Sequence, residues 1–383
     1  MTKSAIKQWI MVVLFYSFRI FPIQRNKIVV SMFAGKGYCD NGKSIVDRLL
    51  EESGKYDIVW LTRGDVGLFP KGVRTVSFVS LRSVYEQCTA KIWIDNRRKP
   101  GYVRKRKGQY YINTCHGNAG LKKVEFDVEA VLSSSYIRAA MNDSKMTNLV
   151  LSGSRTDTKV FRTGYRYDCE ILEAGFPRQD ILLSGDERLK AAVKERLGLP
   201  QESKVLLYAP TFRRQMLKMD MSVYELDWES VLSALEAAFG GMWRGVARLH
   251  PNISDLGACL DTAQGVINAT DYPDMGELML IADCVISDYS SSIVEAGIAQ
   301  KLGFFFATDI EEYKKDRDFY IPIERFPFPL AQSNNELVAL IRSFDIQEYH
   351  KKLRDFFYGD YGLKATGQAT QLTVERIRAI AEA

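Results

Sequence analysis

The chain has 383 residues, 46% hydrophobic and 26% charged, with a net charge of +5. That excludes a disordered, collagen-like or coiled-coil protein and predicts two packed domains; the charge permits an anionic partner without requiring one. The six cysteines (Cys39, Cys88, Cys115, Cys169, Cys259, Cys284) form no C-x-x-C and no Cys/His pairing at metal-site spacing, so a reducing compartment is expected, with neither a disulfide scaffold nor a structural zinc.

In chain order, residues 1–24 hold the most apolar stretch, Ala5 to Phe21. Its uninterrupted run, Trp9 to Tyr16, is eight residues long. A bilayer crossing needs about 20 mostly apolar residues, so the segment is too short and too charged to span. It lacks the small-residue cleavage site of a secretory signal. Two readings stay open. One is an N-terminal core helix. The other, preferred because a complete α/β unit starts directly afterwards, is a helix lying in the membrane interface. It would insert Trp9, Phe15, Tyr16 and Phe18 and set Lys3, Lys7 and Arg19 at the headgroups.

From Lys27 strands and helices alternate. Ile28–Phe33 reads as a strand, 34–41 as a glycine-rich loop, Ser44–Glu52 as a helix and Asp57–Leu61 as a strand. Thr75–Phe78, Lys91–Asp95 and Gln109–Thr114 are further strands, with a helix at Leu81–Cys88. A second series has strands at Val205–Tyr208, Gly245–Leu249, Val266–Ala269, Cys284–Ser287 and Gly303–Phe306. Its helices are Trp228–Phe239, Met275–Ala282 and a segment ending at Gln300, and a last helix runs from Gly367 to Glu382. Such alternation predicts βαβ units and parallel sheets. The expected division is a membrane-associating segment at 1–24, a first α/β domain at 25–190 and a second at 191–383, the last helix free to pack back on the first domain.

Polar clusters sit where strands end, the place where parallel sheets bind ligands. Of the three histidines, His350 lies in a charged helix. His116 and His250 each end an apolar strand, and imidazole suits removal of a hydroxyl proton near neutral pH. Asp288-Tyr-Ser290-Ser291-Ser292 joins a strand to a helix, where hydroxyls and free N–H groups favour an anion; plain helix capping is the alternative. Glu295, inside that helix, suits ribose hydroxyls. Arg178, Arg213 and Arg248 recur beside these motifs and match phosphate oxygens. Seven of the eleven residues Arg97–Lys107 are basic: a solvated loop, or a grip on lipid headgroups or a pyrophosphate. Tyr102 is its only aromatic, which gives nucleic acid little support. Gly37–Ser44 matches G-x-x-x-x-G-K-S literally, but Asp40 would put a negative charge inside a phosphate cradle.

Together these residues resemble the CDP-glycerol glycerophosphotransferase family. The resemblance is carried by Gly35-Lys-Gly-Tyr-Cys-Asp-Asn41, Thr89–Asn96, His116-Gly117 with Leu121-Lys122-Lys123, Gly175-Phe-Pro-Arg178-Gln-Asp180 and Tyr208-Ala-Pro-Thr211-Phe-Arg213. His250-Pro251, Ser287–Ser291 and Asp318-Phe-Tyr320 with Phe326-Pro327 complete it. It implies a GT-B-like fold, two Rossmann-like domains facing a central cleft. It implies transfer of glycerol phosphate from CDP-glycerol to a hydroxyl of an undecaprenyl-diphosphate-linked saccharide, with release of CMP, in teichoic acid or capsule synthesis. His116 would be the base. His250, Arg178 and Arg213 would hold the pyrophosphate, Ser290 and Ser291 a phosphate, and Glu295 the cytidine ribose. Gly117, Asn118, Lys122, Thr211, Arg248 and Asp288 complete the expected substrate contacts. No cofactor is required, and a loosely bound Mg²⁺ stays open. The expected location is peripheral, on an anionic membrane surface at the cytoplasmic face.

The chain departs from the family pattern where Asn118-Ala119-Gly120 stands in place of Thr-Pro, and where Glu295 replaces an aspartate common in polymerases. Its length is near that of enzymes adding a first glycerol phosphate, so a priming role is expected. Polymerisation of glycerol or ribitol phosphate, a GT-B nucleotide-sugar glycosyltransferase and a non-catalytic module binding wall-precursor lipid are the alternatives.

Overall fold

The computed structural model describes residues 3–52, 54–64, 69–211, 224–249, 265–316 and 318–383. The chain divides into two compact units. The first takes residues 1–116, 124–180 and 364–383, and the second takes 117–123 and 181–363. The sequence reading set its single boundary after residue 190 and left the last helix free to join the first domain. Helix Ala369–Glu382 belongs to the first unit.

The strands of the first unit are β1 (Gln24–Ser31), β2 (Asp57–Thr62), β3 (Val73–Ser77), β4 (Ala90–Asp95), β5 (Tyr110–Asn113), β6 (Leu149–Ser152) and β7 (Glu170–Glu173). They form one parallel sheet in the order β3-β2-β1-β4-β5-β6-β7. The second unit holds β8 (Lys204–Tyr208), β9 (Trp243–Ala247), β10 (Val266–Asn268), β11 (Cys284–Ser287), β12 (Leu302–Phe306) and β13 (Leu330–Ala331). Their order is β10-β9-β8-β11-β12-β13, also parallel. Both sheets thus reverse winding at one place, β1/β4 and β8/β11, and a ligand crevice in such sheets opens at the carboxyl ends of those strands.

Central strands are buried on both faces, which is why Ile28-Val29-Val30 and Val205-Leu206-Leu207 read as unbroken apolar runs. β6 and β7 escaped the sequence reading. Each has only four residues, and edge strand β7 is Glu-Ile-Leu-Glu with no fully buried residue. The helix expected from Ser44 starts at Asp40, directly after Cys39 in extended conformation.

Helix Lys3–Ser17 does part of what each of its two readings requires. Phe15 is fully buried in a cluster with Val84, Cys88, Trp93, Val103 and Tyr111, and the Cys88 thiol donates to the Phe15 carbonyl at 3.4 Å. Ile6, Trp9, Ile10, Val13, Tyr16 and Ile20 stay exposed, Trp9 at 63%. Phe15 and Phe18 therefore face protein, against the expectation that they insert into lipid. No described helix is long and apolar enough to cross a membrane.

The basic run is largely engaged by protein rather than solvated. Arg98 pairs with Glu125 and Asp143, the latter at 3.1 Å. Lys99 pairs with Asp95 at 2.8 Å. Arg104 and Arg106 donate to backbone carbonyls, and Lys105 donates to Asn148. Arg97 and Lys107 are the exposed members. All five described cysteines are free.

Candidate functional site

In the first unit, three strand ends meet around Asp40 and Asn41. The chain leaves β1 through Phe33 and Ala34, both with positive φ (48° and 58°). Asp40 (φ 59°) opens the next helix, and Cys115 (φ 54°) follows β5. These are four of the seven described non-glycine residues with positive φ, so backbone strain is concentrated here, as functional sites often show. The Phe33 amide donates to Asn96 Oδ1 at 2.8 Å, tying the end of β1 to the end of β4. Asn41 Nδ2 donates to the Thr114 and Cys115 carbonyls at 3.3 and 3.0 Å, and its Oδ1 accepts from the Arg178 amide at 3.1 Å.

His116 follows β5 on this framework. Its Nδ1 lies 2.8 Å from the Asn96 carbonyl. A carbonyl only accepts, so Nδ1 carries the hydrogen and Nε2 carries the lone pair. The ring is exposed and meets Phe33 edge-on at 5.9 Å. Loss of hydration to the surrounding protein lowers its pKa; the Asn96 carbonyl and Asp40 oppose this, while Arg97 and Arg178 add to it. Because the ring is exposed, that loss of hydration is partial. At neutral pH the imidazole is neutral and basic at Nε2. Arg178 is only 6% exposed; Nη1 lies 4.0 Å from Asp40 Oδ2, and the guanidinium covers the Phe176 ring. It is a buried residue held on the same carboxylate that faces His116.

The literal phosphate-loop match has a packing explanation. A Cβ on Gly42 would come within 2.8 Å of Met32 and 2.9 Å of Trp60, so glycine there lets the helix approach the sheet. Lys43 pairs with Asp47 at 3.2 Å along the helix.

In the second unit the same construction recurs at the β8/β11 reversal. The Thr211 amide donates to both Asp288 carboxylate oxygens, at 2.8 and 2.9 Å, as the Phe33 amide does to Asn96. Ser287 Oγ donates to the Ala209 carbonyl at 2.7 Å. Ser290 Oγ lies 2.5 Å from Ser292 Oγ and accepts weakly from the Ser292 amide, so it takes the capping part. Ser291 makes no side-chain cap bond. It lies against Gly117, where a Cβ would stand 2.8 Å from Ser291 Oγ. Glu295 is 5% exposed, one helical turn on.

Arg248 follows β9, its amide bonded to the Tyr208 carbonyl at 2.9 Å. Asn118 is buried. The Lys122 backbone bridges Phe319, and its Nζ lies 5.9 Å from the Tyr313 ring, which stacks on Tyr289 beside Ser290. His250 and Arg213 lie outside the described residues. The sequence reading quoted Asn96 at the end of the Thr89–Asn96 motif but gave it no site role; its signal was its place directly after the apolar strand ending Ile94-Asp95. Among the described residues no three His, Cys, Asp or Glu side chains converge to hold a metal.

The CDP-Glycerol:Poly(glycerophosphate) glycerophosphotransferase family profile matches residues 13–379. The teichoic acid poly(glycerol phosphate) polymerase of Staphylococcus epidermidis is 30% identical over 91% of this chain and 50% of its own. The teichoic acid glycerol-phosphate transferase of Staphylococcus aureus is 27% identical over 98% of this chain and 100% of its own. The chain spans about half the length of the first curated relatives it matches. A solved structure of the wall teichoic acid polymerase TagF, a histidine-to-asparagine variant soaked with CDPG, superposes with a TM-score of 0.85 at 26% identity, covering 100% of this chain and 99% of that one. The two parallel-sheet units are therefore of the TagF, GT-B-like type.

Proposed function

The chain belongs to the CDP-glycerol:poly(glycerophosphate) glycerophosphotransferase family, and from that premise we propose that it transfers glycerol phosphate from CDP-glycerol to a hydroxyl of a lipid-linked saccharide. The observation that carries the reading is the His116 Nδ1 bond to the Asn96 carbonyl, which leaves a basic Nε2 on an exposed ring. In the reaction the acceptor hydroxyl gives its proton to Nε2. Its oxygen forms a bond to the glycerol-bearing phosphorus, and the bridging P–O bond breaks to release CMP. Such a transfer needs positioning and charge neutralisation more than covalent help. Arg178 and Arg213 supply positive charge to the pyrophosphate, His250 donates to it, Ser290 and Ser291 donate to phosphate oxygen, and Glu295 accepts from the ribose. The reading routes no step through a metal.

Two products are possible, and each has support. A single addition is compatible with the likeness to the Staphylococcus aureus glycerol-phosphate transferase. The likeness to TagF favours repeated addition. Mixing the protein with CDP-glycerol or CDP-ribitol and a lipid-linked disaccharide, then resolving products by mass, separates them. One added unit with CMP release supports the priming reading, and a ladder replaces it with polymerisation. Absence of CMP with either donor sinks the donor assignment. The reading also sets the exposed face of helix Lys3–Ser17 on the cytoplasmic membrane surface. Its support is the row Ile6, Trp9, Ile10, Val13, Tyr16 and Ile20 with exposed Lys7.

A further inference from the structure

We propose that Asp40 and Asn96 are positioning residues for His116, fixing which ring nitrogen bears the hydrogen and stabilising the ring once it has taken a proton. The proposal rests on the reading of His116 as the base.

Asn96 is clamped at both ends. Its Oδ1 accepts from the Phe33 amide at 2.8 Å, and its Nδ2 donates to Asp40 Oδ1 at 3.2 Å. An amide N–H only donates and a carboxylate only accepts, so the carboxamide has one orientation. The clamp holds the Asn96 backbone, and that backbone offers the carbonyl bonded to His116 Nδ1. Unclamped imidazole commonly carries its hydrogen on Nε2, which would leave no lone pair toward an acceptor hydroxyl. The chain holds Asp40 at φ 59° to make this arrangement, a left-handed backbone that costs an ordinary residue free energy and is tolerated where function requires it. Asp40 Oδ1 also accepts from the Asn41 amide at 2.7 Å, and Asn41 ties down the Thr114 and Cys115 carbonyls immediately before His116. One carboxylate therefore orients the imidazole from two sides.

Its charge has a second effect. Asp40, Arg97 and Arg178 act on His116 electrostatically, and Asp40 favours the imidazolium formed when the acceptor hydroxyl is deprotonated. The two arginines oppose it. Asp40→Asn keeps an oxygen acceptor for Asn41 and Asn96 but removes the charge. Asn96→Ala keeps the backbone carbonyl but removes the clamp.

The test is ¹⁵N NMR of the full-length chain labelled at histidine, combined with kcat and KM against pH. Three histidines make the spectrum assignable, with His116→Gln identifying its own signals. The wild-type spectrum is expected to show hydrogen on Nδ1 of His116. Asn96→Ala should move hydrogen to Nε2 and lower kcat roughly tenfold with the CDP-glycerol KM little changed. Asp40→Asn should keep the Nδ1 hydrogen while the His116 titration and the acidic limb of kcat both move to lower pH. Hydrogen on Nε2 in the wild type overturns the proposal, as does a tautomer and midpoint unmoved in both variants. If Asn96→Ala does not fold, Asp40→Asn decides alone. The failure of the base assignment looks different: the NMR behaves as expected, yet His116→Gln still releases CMP.

Discussion

His116 and Gly117 are neighbours in the chain with separate tasks. Replacing His116 by alanine removes the proton acceptor, so transfer should fall by roughly 10²- to 10⁴-fold while CDP-glycerol binding persists. Calorimetric titration beside a turnover assay checks both. Activity needs the unprotonated ring, and its pKa lies below the ordinary histidine value. The rate should therefore rise with pH through a midpoint on the acidic side of that value and be level by neutrality. A rate still climbing above pH 7 would contradict the assignment. Gly117→Ala brings a methyl group to 2.8 Å from Ser291 Oγ, which forces that hydroxyl to rotate. The expected outcome is a several-fold rise in the CDP-glycerol KM, of about 1 kcal/mol, with little change in thermal stability. His116 was singled out in the sequence because two of the three histidines each end an apolar strand, one in each half of the chain. Its tautomer was not, because the partner is a backbone carbonyl twenty positions earlier, and backbone contacts between strand ends leave no residue pattern.

At the level of elements, helix Lys3–Ser17 has two faces that substitution can separate. Phe15 is fully buried, so Phe15→Ala should cost about 3–5 kcal/mol, read as a lower midpoint in urea. Trp9→Glu with Val13→Glu changes exposed positions and should leave that midpoint nearly unmoved while cutting sedimentation with anionic vesicles. Equal sedimentation of variant and wild type would remove the membrane role. The sequence carried both faces, since an amphipathic segment looks alike whether its apolar side meets protein or lipid. Helix Trp228–Phe239 was legible end to end: Asp227 caps it through the Ser230 amide, and its buried residues Trp228, Val231, Ala234 and Leu235 recur at helical spacing. Edge strand β7 was not, because glutamates flank its only apolar residues. The basic run misled for a different reason. Composition counts arginines, but only the fold reveals that Arg98 has Glu125 and Asp143 beside it.

Across the whole molecule, the first unit is assembled from three separated stretches of chain. Its last piece is tied in by specific bonds. Asp180 accepts from the Ala369 and Thr370 amides at 3.1 and 2.7 Å, Arg378 reaches Glu52, and Arg48 reaches Gln371. Truncation after Leu363 should therefore destabilise the first unit selectively. Limited proteolysis should cut within residues 24–180 of the truncated chain while 204–342 stays protected; uniform resistance would refute this. The alternation of strands and helices announced two parallel sheets from sequence alone. It did not announce which unit owns the final helix, because an amphipathic helix does not name the surface it covers. Protein synthesis runs in one direction, and the consequence falls on the newborn chain. Residues 181–363, the bulk of the second unit, follow its short first piece 117–123 as one continuous block, whereas the earlier sheet waits for residues 364–383 to clear the exit tunnel. The sheet made first is thus the one completed last.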